Sequence, residues 1–424
     1  MKPIDVIKII YHKYSDTKLF IALNNIYIDG FFINNWIASQ RVRRQVRSSK
    51  GVHDFPIRVA FICQDTKEWN KLRCVYENMR RDKRFEVCAI ALEPMWQDNA
   101  ENVYSFLERL YGDEAVRGIE GKEKFDLKAW KPHYVFSCNP YDQYFPSEFK
   151  SGSIAKYAKN CFIDYGYELS ITTVKVAFEK KYFRNVYFLF AENEYVAAYN
   201  RNRYINDHAR GYRKTVTIGY PAFEYFYQQK KEKEDNKYTV VWTPRWTEDK
   251  NLGGSNFLNF KDKVLKYSLE HEDIRLVFRP HPMTFNHFIE IGKITKEEVE
   301  CYLTYFAPGT NRIYDDTADY TNTFWQSDVL LTDFSSILVE YFLTGKPIIY
   351  CDTGAQLNES VAEMIDAMYV VNNWEEAEKI LKQLQKGVDP LKDIRKETIR
   401  KVFGDDFEKI SDRFLDTLYD DFIN

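Results

Sequence analysis

"TDFSSILVEYFLTGKP", Thr332–Pro347, joins a turn of small hydroxyls to apolar residues at helical spacing. A helix starting there leaves its first backbone N–H groups without intrahelical partners, and its dipole adds positive charge. Together these make an anion site. Ser335 and Ser336 would add hydroxyl donors to a phosphate. Glu340, one turn beyond Ser336, would set a carboxylate where a ribose offers two hydroxyls. The same residues also make an ordinary N-cap, since Ser and Asp are favoured there. Two more clusters follow apolar runs. "FRPHP" (Phe278–Pro282) gives Arg279 a planar fork suited to phosphate and holds His281 between prolines. In "VVWTPRWTED" (Val240–Asp249), Thr243, Arg245 and Trp246 either reach the same cleft or form a tight turn over the core. Arg279, His281 and the helix start at Ser335 could surround a diphosphate. Glycines are too sparse here for a dinucleotide fingerprint or a P-loop.

Other chemistries find less support. The seven cysteines form no CxxC pair, and the seven histidines form neither HExxH nor a pair at metal spacing. No metal and no cofactor are expected, and dispersed thiols suit a reducing cytoplasm. A net charge of −3 gives no global signature of nucleic-acid binding. "RVRRQVRSSK" concentrates Arg41, Arg43, Arg44, Arg47 and Lys50 with no acidic residue. It reads as a solvated surface segment or as a foothold on an anionic membrane, at ~1 kcal/mol per basic residue. The N-terminus lacks the apolar core of a secretory signal, and no apolar stretch has the ~20 residues of a spanning helix. The expected location is cytoplasmic, with the inner face of the cell membrane as a peripheral option.

The clusters need strands to position them. "IRVAFIC" (Ile57–Cys63) and "FEVCAIAL" (Phe85–Leu92) are short buried-strand runs, and Glu68–Asp82 between them has helical periodicity, a βαβ unit. Strand-like runs recur at Pro132–Cys138, Lys159–Gly166, Val186–Glu192 and Lys214–Pro221. After the charged "QQKKEKEDNK" they recur at Tyr238–Pro244, Ile274–Pro282, Asn311–Asp316, Ser327–Asp333 and Lys346–Asp352. The pattern predicts an α/β chain with parallel sheets in two Rossmann-like domains facing a central cleft. The expected divisions are an N-terminal helical and basic extension (1–50), a first domain (51–228), a second (238–390) and C-terminal helices (391–424) that can cross back to the first. Ligands of such sheets bind at the carboxyl ends of the strands, where all three clusters fall.

In order and spacing, "WTPRW", "RPHP" and "LLTDFSSILVEYFLTGKPII" resemble the CDP-glycerol glycerophosphotransferase family of teichoic-acid and capsule synthesis. "KPHYVFSCNPYD", "FIDYGYE", "FAENE" and "TIGYP" resemble that family's strand ends in the first domain, so the likeness covers roughly Ile57–Val371. The resemblance implies a GT-B-like fold whose second domain binds the donor. It implies that Arg279 and His281 contact the diphosphate, that Thr332, Ser335 and Ser336 hold phosphate oxygens, and that Glu340 sits near the ribose. Pro244, Arg245 and Trp246 would line the donor pocket. The implied reaction moves glycerol phosphate or ribitol phosphate from a CDP-linked donor to a hydroxyl of a cell-envelope polymer or glycan, releasing CMP. One departure stands out. Many members carry a His-Gly pair whose His is the presumed base, whereas this chain has Tyr165 before Gly166. Asp164 is adjacent and Glu168 lies two residues beyond the glycine; Asp164 is the candidate proton acceptor, with His281 the second catalytic candidate. A glycosyltransferase using a nucleotide sugar shares these features, as does a nucleotide-binding scaffold that has lost catalysis. An epimerase would need acid–base pairs in the first domain that the sequence does not identify.

Overall fold

The computed structural model describes residues 33–51, 54–93, 102–317, 319–404 and 406–424, with Thr17, Leu19 and Leu23. The rest of the expected N-terminal extension lies outside the described residues. The chain divides into two compact units: one runs through Tyr165 and adds Val174–Pro221 and Lys409–Asn424, and the other comprises Gly166–Thr173 and Ala222–Glu408.

The first unit is built on a parallel sheet of β1 (Ile57–Cys63), β2 (Phe85–Ala91), β3 (Ala115–Arg117), β4 (Tyr134–Ser137), β5 (Lys159–Ile163), β6 (Val186–Ala191) and β7 (Lys214–Thr217). Their order is β3-β2-β1-β4-β5-β6-β7, so strand order reverses between β1 and β4. β4 and β6 are buried at every residue and β1 at all but one, as a sheet covered on both faces requires. The periodic Glu68–Asp82 run is not one helix. Asp65 caps a short turn, Thr66–Trp69, by accepting from Lys67 N at 2.8 Å, and the longer helix starts only at Arg73. Trp69 drives the break: it is fully buried and its Nε1 donates to Tyr111 Oη at 3.0 Å. The turn leaves Glu68 just past the carboxyl end of β1.

The basic helix Ile33–Ser49 packs on this unit through Ala38, Val42 and Gln45. Arg43 pairs with Asp207 at 2.8 Å, and Arg47 Nη2 donates to Tyr212 Oη at 2.6 Å. Two of the five basic residues are therefore tied to the protein itself, while Arg44 and Lys50 face solvent. Among the described residues no helix is long and apolar enough to cross a membrane.

The second unit carries β8 (Tyr238–Thr243), β9 (Ile274–Phe278), β10 (Arg312–Tyr314), β11 (Val329–Thr332), β12 (Ile348–Cys351) and β13 (Tyr369–Val371). These six are all parallel in the order β10-β9-β8-β11-β12-β13. An aromatic stack of Trp242, Phe278, Phe257 and Phe288 fills one side of it, with Trp242 and Phe278 centroids 4.8 Å apart.

The boundaries differ from those expected. The helix Pro221–Gln228 starts where the first unit ends, and from Ala222 on it belongs to the second unit. There Phe226 stacks on Trp325 at 5.0 Å and its carbonyl accepts from Trp325 Nε1 at 3.0 Å. The two C-terminal helices part company: Lys392–Phe403 stays with the second unit, and Ile410–Ile423 belongs to the first.

Candidate functional site

β8 and β11 are neighbours in the second sheet although β9 and β10 come between them in sequence, so this pair is the topological switch point. Thr243 and Thr332 end the two strands side by side. Thr332 does not turn outward as expected. Its side chain is fully buried; Oγ1 accepts from Thr243 Oγ1 at 2.7 Å and lies 3.2 Å from the Thr243 carbonyl oxygen. Its hydroxyl is spent on joining the strands, because strand alternation points it into the sheet's packed face.

Asp333, the next residue, organises the loops instead of capping a helix. Its Oδ2 accepts from Arg245 N (3.2 Å), Asn256 N (3.0 Å) and Ser255 Oγ (3.2 Å), and its Oδ1 accepts from Asn256 Nδ2 (3.2 Å). Burial raises its pKa to about 6 against the opposing pull of these hydrogen bonds. Arg245 extends the clasp: Nε donates to Leu252 O at 2.5 Å and Nη1 to Phe334 O at 3.0 Å, with the guanidinium 5.0 Å from the Phe334 ring. Gly253, at φ +105°, makes room, since a Cβ there would collide with the Phe334 ring and Arg245 Nε. Arg245 thus holds the turn that carries the serines, while Pro244 is buried at its base.

β9 delivers the second cluster. Arg279 N and His281 N donate to Trp242 O (2.8 Å) and Pro244 O (3.1 Å), which ties "RPHP" to the end of β8. The Arg279 guanidinium pairs with Asp315 at 3.0 Å, donates to Thr317 O at 2.7 Å and lies 5.2 Å from the Tyr320 ring. Burial favours the neutral Asp315 acid, but Arg279 and the Thr317 and Thr323 hydroxyls outweigh it and hold its pKa below the usual value. His281 Nδ1 accepts from Met283 N at 3.2 Å. In the neutral ring the proton then sits on Nε2, which makes His281 a donor rather than a base. Trp246 lies 6.2 Å from the His281 ring and edge-on to His287 at 4.9 Å. Glu340 is buried and already accepts from the Tyr320 hydroxyl.

The helix after the serine turn is short, Ile337–Phe342, and Ser336 at its N-cap makes no side-chain cap bond. Ser335 and Ser336 are half-buried. The segment Gly166–Thr173 lies against this region of the second unit. A Cβ on Gly166 would lie 3.6 Å from Ser336 Oγ. Farther along, Asn358 N donates to Leu169 O at 2.8 Å, and Asn358 Nδ2 donates to Glu168 O at 2.6 Å.

In the first unit, Asp164 is the first residue beyond β5 and is half-buried. Tyr165 is 39% exposed. Desolvation and the Asp164 charge raise its pKa, so it remains a donor. The sequence reading missed Glu68, half-buried at the switch point of this sheet. Cys138 Sγ, just past β4, donates to Glu68 Oε2 at 3.6 Å. Burial, with the charges of Asp65 and Asp164, lifts the Glu68 pKa to about 8. Asp164 and Glu68 therefore interact as like charges, and such pairs retain a proton. The available signal was a carboxylate five residues after a buried strand; the helical periodicity of the run concealed it.

Solved structures share this fold. A variant of the wall teichoic acid polymerase TagF aligns over 96% of this chain and 97% of its own, with TM-score 0.57 and 14% identity. UDP-GlcNAc 2-epimerase from Neisseria meningitidis, bound to UDP-GlcNAc, aligns over 86% of this chain and 100% of its own, with TM-score 0.58 and 12% identity. S. aureus MnaA with UDP aligns over 84% and 94%, with TM-score 0.53 and 16% identity. The two parallel-sheet units are thus those of the GT-B architecture. No curated protein sequence matches the chain. The family model of CDP-Glycerol:Poly(glycerophosphate) glycerophosphotransferase matches residues 164–413, more than half of the chain and every second-unit cluster described above. The chain belongs to the CDP-glycerol:poly(glycerophosphate) glycerophosphotransferase family.

Proposed function

We propose that this protein transfers an alditol phosphate from a CDP-linked donor to a hydroxyl of a cell-envelope polymer and releases CMP. The observation that carries the reading is the gathering of "WTPRW", "RPHP" and "TDFSS" at the carboxyl edge of one sheet, around its switch point, in a chain of this family. Arg279 and the Nε2–H of His281 face the donor diphosphate, Ser335 and Ser336 add hydroxyl donors, and Glu340 with Tyr320 stands by the ribose. Pro244, Arg245 and Trp246 shape the pocket wall. The acceptor oxygen attacks the phosphorus that bears the alditol. The bond from that phosphorus to the bridging oxygen breaks, and the electron pair leaves on CMP. Positive groups fixed around the diphosphate stabilise the charge that develops there.

The acceptor hydroxyl gives its proton to Asp164. Asp164 is the first residue beyond β5, at the carboxyl end of the first sheet, where ligands of such sheets bind. Glu68 keeps its proton up to about 8 through burial and the charges of its acidic neighbours, Asp164 among them. Above about 8 Glu68 ionises, and the added negative charge draws the acceptor's proton more strongly toward this strand end. kcat/KM therefore rises with pH through about 8 in the wild type, and Glu68→Gln flattens that limb. Identical pH profiles for the two proteins would remove Glu68 from the proton path.

A further inference from the structure

A cavity of about 550 Å³ opens at the amino edge of the first sheet, the end opposite Asp164. Lys159 starts β5 and Asp164 follows it, so the two ends are about 16 Å apart at ~3.3 Å per residue. Six cationic side chains line the cavity, Lys50, Arg58, Lys128, Lys131, Lys159 and Lys214, against the carboxylates of Asp54 and Asp421.

The inner wall is built, not incidental. Asp421, on the helix Ile410–Ile423, accepts from Tyr134 Oη (2.6 Å), Tyr187 Oη (2.7 Å), Lys159 Nζ (2.8 Å) and Lys214 Nζ (2.5 Å). The Lys159 ammonium also lies 4.7 Å from the Tyr187 ring and 5.3 Å from that of Tyr134. One buried carboxylate thus serves two lysines and fixes their position. Asp54 is exposed and reaches Arg58 only at 3.7 Å. Lys50, Lys128 and Lys131 are exposed at the rim and make no ion pair among the described residues. Burial first, and then the Arg58 charge, hold the His133 pKa down to about 4, so its ring adds no positive charge to the cavity near neutral pH.

We propose that this cavity is a second anion site, which holds phosphate groups of a polyol-phosphate chain whose growing end is at Asp164. Lysine ammoniums are point charges suited to phosphate, and the volume falls in the range of ligand pockets. A cavity admits single phosphates of a flexible chain, whereas a membrane presents a plane of headgroups. The proposal rests on the polymer-acceptor reading above. It gives that reading a length dependence: an acceptor of one unit cannot span both ends of β5, and a long one can.

The test compares wild type with Lys50→Glu/Lys128→Glu, and with Lys131→Glu as a second variant, all at exposed positions outside the Asp421 cluster. Fluorescence anisotropy reads binding of a labelled, water-soluble poly(glycerol phosphate). Inorganic phosphate serves as competitor, and phosphatidylglycerol–phosphatidylcholine vesicles form a separate arm. Binding of the polymer weakens about tenfold in the variants and becomes less salt-dependent. KM rises for the long acceptor alone, with kcat unchanged. Equal polymer affinity in wild type and variants overturns the site, as does a loss confined to the vesicles, which would mark a lipid surface. Absence of turnover in the wild type would sink the transferase reading, while the anisotropy would still decide the cavity.

Discussion

Asp164→Asn lowers kcat for alditol-phosphate transfer by about 10²–10⁴-fold, the usual range for a lost proton acceptor, and changes donor KM little. Asparagine keeps the shape of the side chain and removes its basicity. The effect is large because the neighbours cannot substitute. Tyr165 stands where the family resemblance places a histidine, and its hydroxyl has a raised pKa. His281 carries its neutral-state proton on Nε2, since Nδ1 accepts from Met283 N. Glu68 holds its own proton up to about 8. A loss smaller than threefold in single-turnover measurements would move the base away from this strand end, and Glu168 would be the next residue to replace.

Asp333→Ala destabilises the protein by about 2–4 kcal/mol and abolishes measurable donor binding, read by denaturant unfolding and by thermal shift with the CDP-linked donor. The magnitude follows from the buried donors left unpaired. The carboxylate accepts from Arg245 N, Ser255 Oγ and two nitrogens of Asn256. Without it the "WTPRW" loop and the serine turn lose their common anchor. The pH dependence has a definite sign. Burial lifts this carboxyl from 3.8 to about 6, so the folded state binds the proton more tightly than the unfolded one. Its titration takes stability away as pH rises through that window. The gap between wild type and Asp333→Ala is therefore widest below the window and narrows across it. An unchanged unfolding midpoint would show that the loops are held by other contacts.

The parallel sheets were legible because strands covered on both faces read as unbroken apolar runs, as in "IRVAFIC" and "VYFLFA". The second-unit clusters were legible for a related reason: each is contiguous in sequence and directly follows a strand. Contacts between distant residues were not legible. Asp333 and Arg245 are 88 residues apart, and Asn358 meets Glu168 across 190. The membership of Gly166–Thr173 in the second unit depends on such a pairing. Thr332 was misread because its type suited phosphate, while its place in the strand buries the hydroxyl against Thr243. Glu68 was hidden because an amphipathic pattern says nothing of a capped turn that interrupts it. The arginines of the basic helix looked free for a surface partner, yet Arg43 finds Asp207 164 residues away.

The most direct measurement of the central claim is the nucleotide released when the purified protein meets CDP-glycerol or CDP-ribitol and a poly(glycerol phosphate) acceptor. The account predicts CMP in step with acceptor elongation, lost in Asp164→Asn. Release of UDP or GDP from a nucleotide sugar, with no CMP from either CDP donor, would contradict it.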